Sequence, residues 1–183
     1  MTVDIAFQDS SQATQPRTPV SAANPLPAYS PVNIRLTAAQ TVTAALYSAG
    51  NCVGGKITFT GAARKAGQGG TIQGAVLRDK AGQAGAYDLF LFDADPSATT
   101  VTDKSAVAIN TADLAKCIGV ITFPAATIKL GAASTMGVIT VANNALAYKL
   151  TSGTTLYGIL VTRGTPTYAS TSDVSVDLVV WPD

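Results

Sequence analysis

Four short stretches of this chain hold residue types at spacings that chemistry uses. In "GNCVGGKI", Gly50, Gly55 and Lys56 match the pattern G-x-x-x-x-G-K-[ST], in which backbone amides wrap phosphates, the lysine reaches them and a hydroxyl holds magnesium. Ile57 stands where the hydroxyl is needed, and the following "ITFT" alternates like a strand instead of opening a helix. The expected structure is a glycine-rich turn leading into an antiparallel strand, with Ile57 and Phe59 in the core. "GQGGTIQG", Gly67 to Gly74, misplaces the third glycine of the dinucleotide fingerprint and also runs into a strand, so it reads as a loop.

"DLFLFDADPS" sets Asp88, Asp93 and Asp95 close together, with Asp103 nearby. Carboxylates at that density suit a calcium ion or a glycosidase pair. The later oxygen ligands and glycine of a calcium loop are missing, however, and Asp93-Ala94-Asp95-Pro96 has the turn chemistry of a strand end. In "VTRGTPTYAS", Arg163-Gly164 lacks the aspartate of an adhesion loop, which leaves Arg163 and Tyr168 as candidate partner contacts, since Arg and Tyr favour interfaces. No catalytic residue, cofactor-binding residue or metal ligand is assigned.

Two absences weigh more than these motifs. The chain has no histidine, and all 11 acidic residues are aspartate, so the commonest proton-transfer groups are missing. Neither a Ser-His-Asp nor a Cys-His arrangement can be assembled, nor a His-containing zinc site. The chain is expected not to be an enzyme and to need no cofactor. A net charge of +1, from 12 basic and 11 acidic residues, supplies no broad footprint for nucleic acid or anionic membrane. Cys52 and Cys117 pair only if the fold brings their α-carbons within about 7 Å; two buried free thiols is the expectation.

The elements that must position these residues come in two textures. Residues 1–31 carry Pro16, Pro19, Pro25, Pro27 and Pro31 among Gln, Ser, Thr and Ala, which reads as an extended proline-rich arm with Ile5, Phe7, Leu26 and Tyr29 as apolar anchors for a partner. Residues 32–183 change to short runs of Val, Ile, Thr, Leu and aromatics punctuated by Gly, Asn, Asp and Ser. Strands are expected at 32–36, 41–48, 55–60, 71–79, 87–93, 118–123, 127–130, 136–141, 155–163 and 173–181, with one short helix, Thr111 to Cys117, capped by Thr111 and facing the core with Leu114. Strands at short intervals make the chain all-β: the expectation is a β-sandwich of jelly-roll type, with a closed barrel as the alternative.

Periodicity assigns the faces. Val174, Val176, Leu178 and Val180 share one side of the last strand, and Ser175 and Asp177 lie on the other, expected to be wet. In "AYDLFLFD", Tyr87, Leu89 and Leu91 point one way and Phe90 and Phe92 the other, so both faces are apolar. The second must be covered by a loop of the same chain or by a neighbouring subunit. Only 13% of residues are charged while 47% are hydrophobic, yet no run approaches the roughly 18 apolar residues of a membrane span, and the first residues lack a secretory pattern. The apolar excess therefore points to surface buried against other subunits, with Phe90, Phe92, Arg163, Tyr168 and Trp181 as candidate contacts.

With "AYDLFLFDADPSATTVTD", "ADLAKCIGVITF" and "TSGTTLYGILVTRGTPTYAS" in view, the chain from about Thr41 to Trp181 resembles a family of tailed-bacteriophage virion proteins. These are small head-associated structural proteins similar to the decoration or cement proteins of capsids. The resemblance implies a jelly-roll-like subunit, made in the host cytoplasm and assembled as a homodimer or homotrimer. It would sit on the outer surface of the capsid, bind the major capsid protein and strengthen the shell. The alternative is a head-fibre or tail-associated β-sandwich that recognises a host glycan through Tyr168, Arg163 and the turn from Asp93 to Ser97.

Overall fold

Alternating β-branched and aromatic residues leave most of this chain no cheaper way to bury its apolar side chains than in strands. In a computed structural model, which describes residues 32–83, 85–125, 129–130 and 137–183, they form nine. These are β1 (Ile34–Gln40), β2 (Cys52–Thr60), β3 (Gly69–Asp79), β4 (Tyr87–Phe92), β5 (Cys117–Phe123), β6 (Lys129–Leu130), β7 (Gly137–Lys149), β8 (Thr155–Thr162) and β9 (Val174–Pro182), with one short helix, α1 (Thr111–Leu114). The proposed arm and the expected strand starts at Thr127 and Met136 lie outside the described residues.

All pairings are antiparallel, and they fall into two sheets ordered β1-β9-β3-β7-β6 and β2-β8-β4-β5. The chain is therefore all-β. The pairs are also nested: β1 lies on β9, β2 on β8, β3 on β7 and β4 on β5. Between the sheets lies one core, with Leu36, Ile72, Leu77, Val176, Leu178 and Val180 from the first and Ile57, Phe59, Leu89, Leu91, Ile121, Phe123, Leu156 and Leu160 from the second. Each such side chain contributes about 1.5–3 kcal/mol by leaving water.

Three elements depart from the expectation, each for a physical reason. Residues 41–48 form no strand, because the chain must cross there from the first sheet to the second. Val42 and Tyr47 are buried, but their amides bond to loop carbonyls, Thr171 O at 3.1 Å and Pro166 O at 2.9 Å. β7 runs on to Lys149, well past the expected end at Val141, because Asn143-Asn144 belongs to a bulge and not to a turn. The register jumps from Ile72↔Leu146 to Gly74↔Ala142, and Ala145 takes φ +38°. Helix α1 is capped by Asn110, whose side chain accepts from Ala112 N, and it turns over relative to the expectation: Asp113 is fully buried while Leu114 is 54% exposed. Lys116 Nζ at 2.7 Å and Thr99 Oγ1 at 2.7 Å hold the Asp113 carboxylate inside.

On β9 the alternation is as expected, yet Asp177 on the outward face is not wet. It has no exposed side-chain surface, with Arg78 Nη2 at 2.6 Å and Arg35 Nε at 3.3 Å lying over it. Burial pushes its carboxyl up, but the Arg78 and Arg35 guanidinium groups beside it outweigh this and hold it below the usual carboxylate range.

Candidate interaction surface

The sharpest local demand in the sequence is the second apolar face of β4. Tyr87, Leu89 and Leu91 enter the core between the sheets, and Phe90 and Phe92 stand on the outside of the second sheet. A loop of the same chain covers them. Residues 93–110 fold back so that Val101, Val107 and Ile109 pack on Phe90, Phe92, Cys52, Ile159 and Val161 in a second, smaller apolar cluster.

The Asp103 carboxylate pins that loop. It accepts from Thr43 N, Thr43 Oγ1 and Gly54 N, each at 2.7 Å, and from the Tyr47 hydroxyl at 2.7–2.8 Å. Burial alone would raise its pKa; the donated hydrogen bonds win and lower it. Backbone bonds along the edge of β2 continue the attachment, with Lys104 N on Cys52 O, Cys52 N on Ser105 O and Val107 N on Gly50 O.

The glycine-rich stretch makes this possible. Gly54 and Gly55 take φ +83° and +84° in a bulge between Cys52↔Val161 and Lys56↔Ile159, so they lie inside the strand and do not precede it. A Cβ on Gly54 would sit 2.5 Å from Gln40 Cβ. After the bulge Ile57 and Phe59 point into the core, each 1% exposed. Lys56 points outward to Asp95 Oδ1 at 2.7 Å and lies 5.8 Å from the Tyr157 ring centre.

The loop does not seal the face completely. A pocket of about 220 Å³ remains, lined by Gly50, Phe90, Val107, Ile109, Val161 and Arg163. Arg163 forms its rim: Nε donates to Asp88 Oδ2 at 2.6 Å, and the guanidinium lies 6.0 Å from the Phe90 ring centre. Val120, 45% exposed, lies beside it, opposite Phe90 in the register.

Of the candidate contacts, Phe90 and Arg163 thus meet at one pocket. Trp181, 41% exposed, stands on the outward face of the other sheet. Two assignments are corrected. Phe92 is fully buried in the outer cluster, and Tyr168 is 2% exposed, its hydroxyl 3.0 Å from that of Tyr87 and its ring edge-on to Tyr47 at 5.1 Å. Neither is free to touch a partner. A loop position said nothing about the direction of the Tyr168 ring, which packing turns inward. Ile5, Phe7, Leu26 and Tyr29 lie outside the described residues. Sequence reasoning missed Val107 and Ile109, although their period-two spacing in "AVAIN" is a visible signal.

The aspartates do not converge. Asp88 bonds Arg163 and Thr122, Asp93 bonds Thr151, Asp95 bonds Lys56, and Asp103 holds its loop. Among the described residues there is no group of three or more side chains able to hold a metal, and no helix long and apolar enough to cross a membrane. Cys52 and Cys117 are free thiols, the first buried and pushed up to about 11 by desolvation, the second partly exposed. Neither a protein family nor a curated protein nor a solved structure gives a match to this chain.

Proposed function

We propose that this chain is a non-enzymatic virion structural protein, a capsid decoration or cement protein that binds the shell of the major capsid protein and stabilises the head. The observation that carries the proposal is the nested pairing of the strands. The order β1-β9-β3-β7-β6 in one sheet and β2-β8-β4-β5 in the other supports reading the sandwich as a jelly roll, a long hairpin folded over into two packed sheets. That architecture serves viral shells and carbohydrate-binding domains alike. The resemblance in sequence favours the shell. The buried position of Tyr168 removes the aromatic on which a sugar-stacking loop would have relied.

Cement function needs contacts to several neighbours at once, because multivalency makes modest contacts hold firmly. Residues 1–31 supply one such contact, and further copies of the chain, as a dimer or trimer, supply another. The protein sits on the outer surface of the capsid. The test uses purified capsids stripped of the protein. Full-length chain should rebind to saturation and raise the temperature at which the shells release DNA, and a chain lacking Met1 to Ser30 should bind more weakly. Failure of the full chain to bind any shell, with binding on a glycan array instead, overturns the proposal.

A further inference from the structure

We infer that the pocket on the second sheet receives Trp181 of another copy of this chain, in a head-to-tail contact. This goes beyond the proposed role and rests only on its self-assembly part. The volume of about 220 Å³ is small beside the several hundred Å³ of pockets that enclose whole ligands, and suits one large side chain. Its walls are aliphatic and aromatic, and its rim is a guanidinium 6.0 Å from the Phe90 ring centre. An aromatic guest therefore gains both burial and a cation–π contact.

Trp181 is the one aromatic among the exposed large apolar side chains of the described residues; the others are Val32, Leu46, Leu114 and Val120. It is also held out rigidly. Pro182 next to it is buried, its carbonyl accepts from Arg64 Nε at 3.2 Å, and Asp183 N donates to Gly69 O at 3.0 Å. A ring on fastened backbone loses little freedom on docking. The charges match as well. Exposed Asp183 lies two residues from Trp181, while Arg163, paired through Nε with Asp88, leaves 46% of its side chain exposed. Trp and Arg are the residues that most often dominate such contacts.

Trp181 alternates with core-facing Val180 on β9 and so faces outward from the first sheet, whereas the pocket faces outward from the second. Projection and pocket therefore lie on opposite sides of the sandwich. Two copies cannot fill both sites at once around a two-fold axis. The contact is heterologous and builds a ring if the rotation closes, or an open chain if it does not.

The experiment is analytical ultracentrifugation of the isolated full-length chain over a range of concentrations. The wild type should form trimers or larger species. Trp181→Ala and Val107→Trp, which empties the knob and fills the pocket respectively, should each raise the dissociation constant by about tenfold or more. Mixed together, the two variants should form a one-to-one pair and nothing larger, since one keeps the pocket and the other keeps the tryptophan. If Val107→Trp loses the native circular dichroism spectrum, Arg163→Ala takes its place. A monomeric wild type, a Trp181→Ala variant that assembles like the wild type, or folded variants that fail to pair overturns the inference. No capsid is present, so that failure leaves shell binding standing, and loss of shell binding with intact self-association removes only the proposed function.

Discussion

Replacing Asp103 with alanine should unpin the loop that covers the second apolar face. Four donors converge on this carboxylate, and hydrogen bonds to a charged group contribute about 1.5–3 kcal/mol each when nothing replaces them. Thr43 N and Oγ1 lie in an exposed setting and can bond to water instead, so their share is small. The Tyr47 hydroxyl and Gly54 N are partly buried and are left without an acceptor. Together these give an expected loss of about 3 kcal/mol, below the sum of four bonds because the donors share one acceptor. Asp103→Asn keeps one oxygen but turns an NH₂ towards the remaining donors, and should lose about 2 kcal/mol. Urea unfolding followed by circular dichroism measures both. Tyr47→Phe in the Asp103→Ala background should cost less than in the wild type, since its partner has already gone. A loss below about 1 kcal/mol for Asp103→Ala, or full additivity with Tyr47→Phe, would refute the assignment of Asp103 as the pin.

Three other measurements follow from the same structure. Gly54→Ala must adopt φ +83° with its Cβ against Gln40, so denaturant unfolding should show a loss of about 2–4 kcal/mol, from left-handed strain and overpacking together. Phe59→Ala should lose about 3–5 kcal/mol from the core, whereas Lys56→Ala, which removes a pair whose side chains are 37% and 44% exposed, should change stability by less than about 1 kcal/mol; equal losses would mean that the strand is placed wrongly. The third concerns pH. Burial raises Asp79 to about 6, against hydrogen bonds from Gln83 and Ala81, so its charged form is disfavoured in the fold. That penalty is fully present above about pH 6 and is relieved as pH falls towards the unfolded value near 3.9, for a gain of about 3 kcal/mol. Below about pH 4 the sign reverses, because Asp103, Asp113 and Asp177 have lowered pKa values and lose their stabilisation on protonation. Thermal melts from pH 8 to pH 3 should therefore peak between about 4 and 5, and a melting temperature that falls steadily below pH 7 would contradict this.

Much of the second sheet was legible because β2 beyond its bulge and β4 keep a period of two. Ile57 and Phe59, and Leu89 and Leu91, point where their spacing puts them. The failures share a cause. The helix turned over because a buried ion pair between Asp113 and Lys116 outweighed the burial of Leu114, and residues 41–48 left the strand pattern because their amides found loop partners. Asp113 is also held by Thr99, 14 residues away, and Val42 and Tyr47 bond to Thr171 and Pro166, so both outcomes rest on partners that local propensity does not contain. The bulges at Gly54-Gly55 and near Ala145 are of the same kind, since an extra residue in one strand has meaning only against its partner.

The amino-acid sequence alone determined that the chain carries no histidine or glutamate, and that β4 has two faces to bury. Both follow from residue identity and the geometry of a single strand. Only the tertiary structure decided what covers the second face, because the loop of residues 93–110 is held by a carboxylate 49 residues from the Gly54 amide it accepts from. It likewise decided that Tyr168 turns inward while Trp181 stays out, and that a pocket rimmed by Arg163 remains. Contacts between residues far apart in the chain fix these outcomes, and they exist only once both sheets have closed over the core.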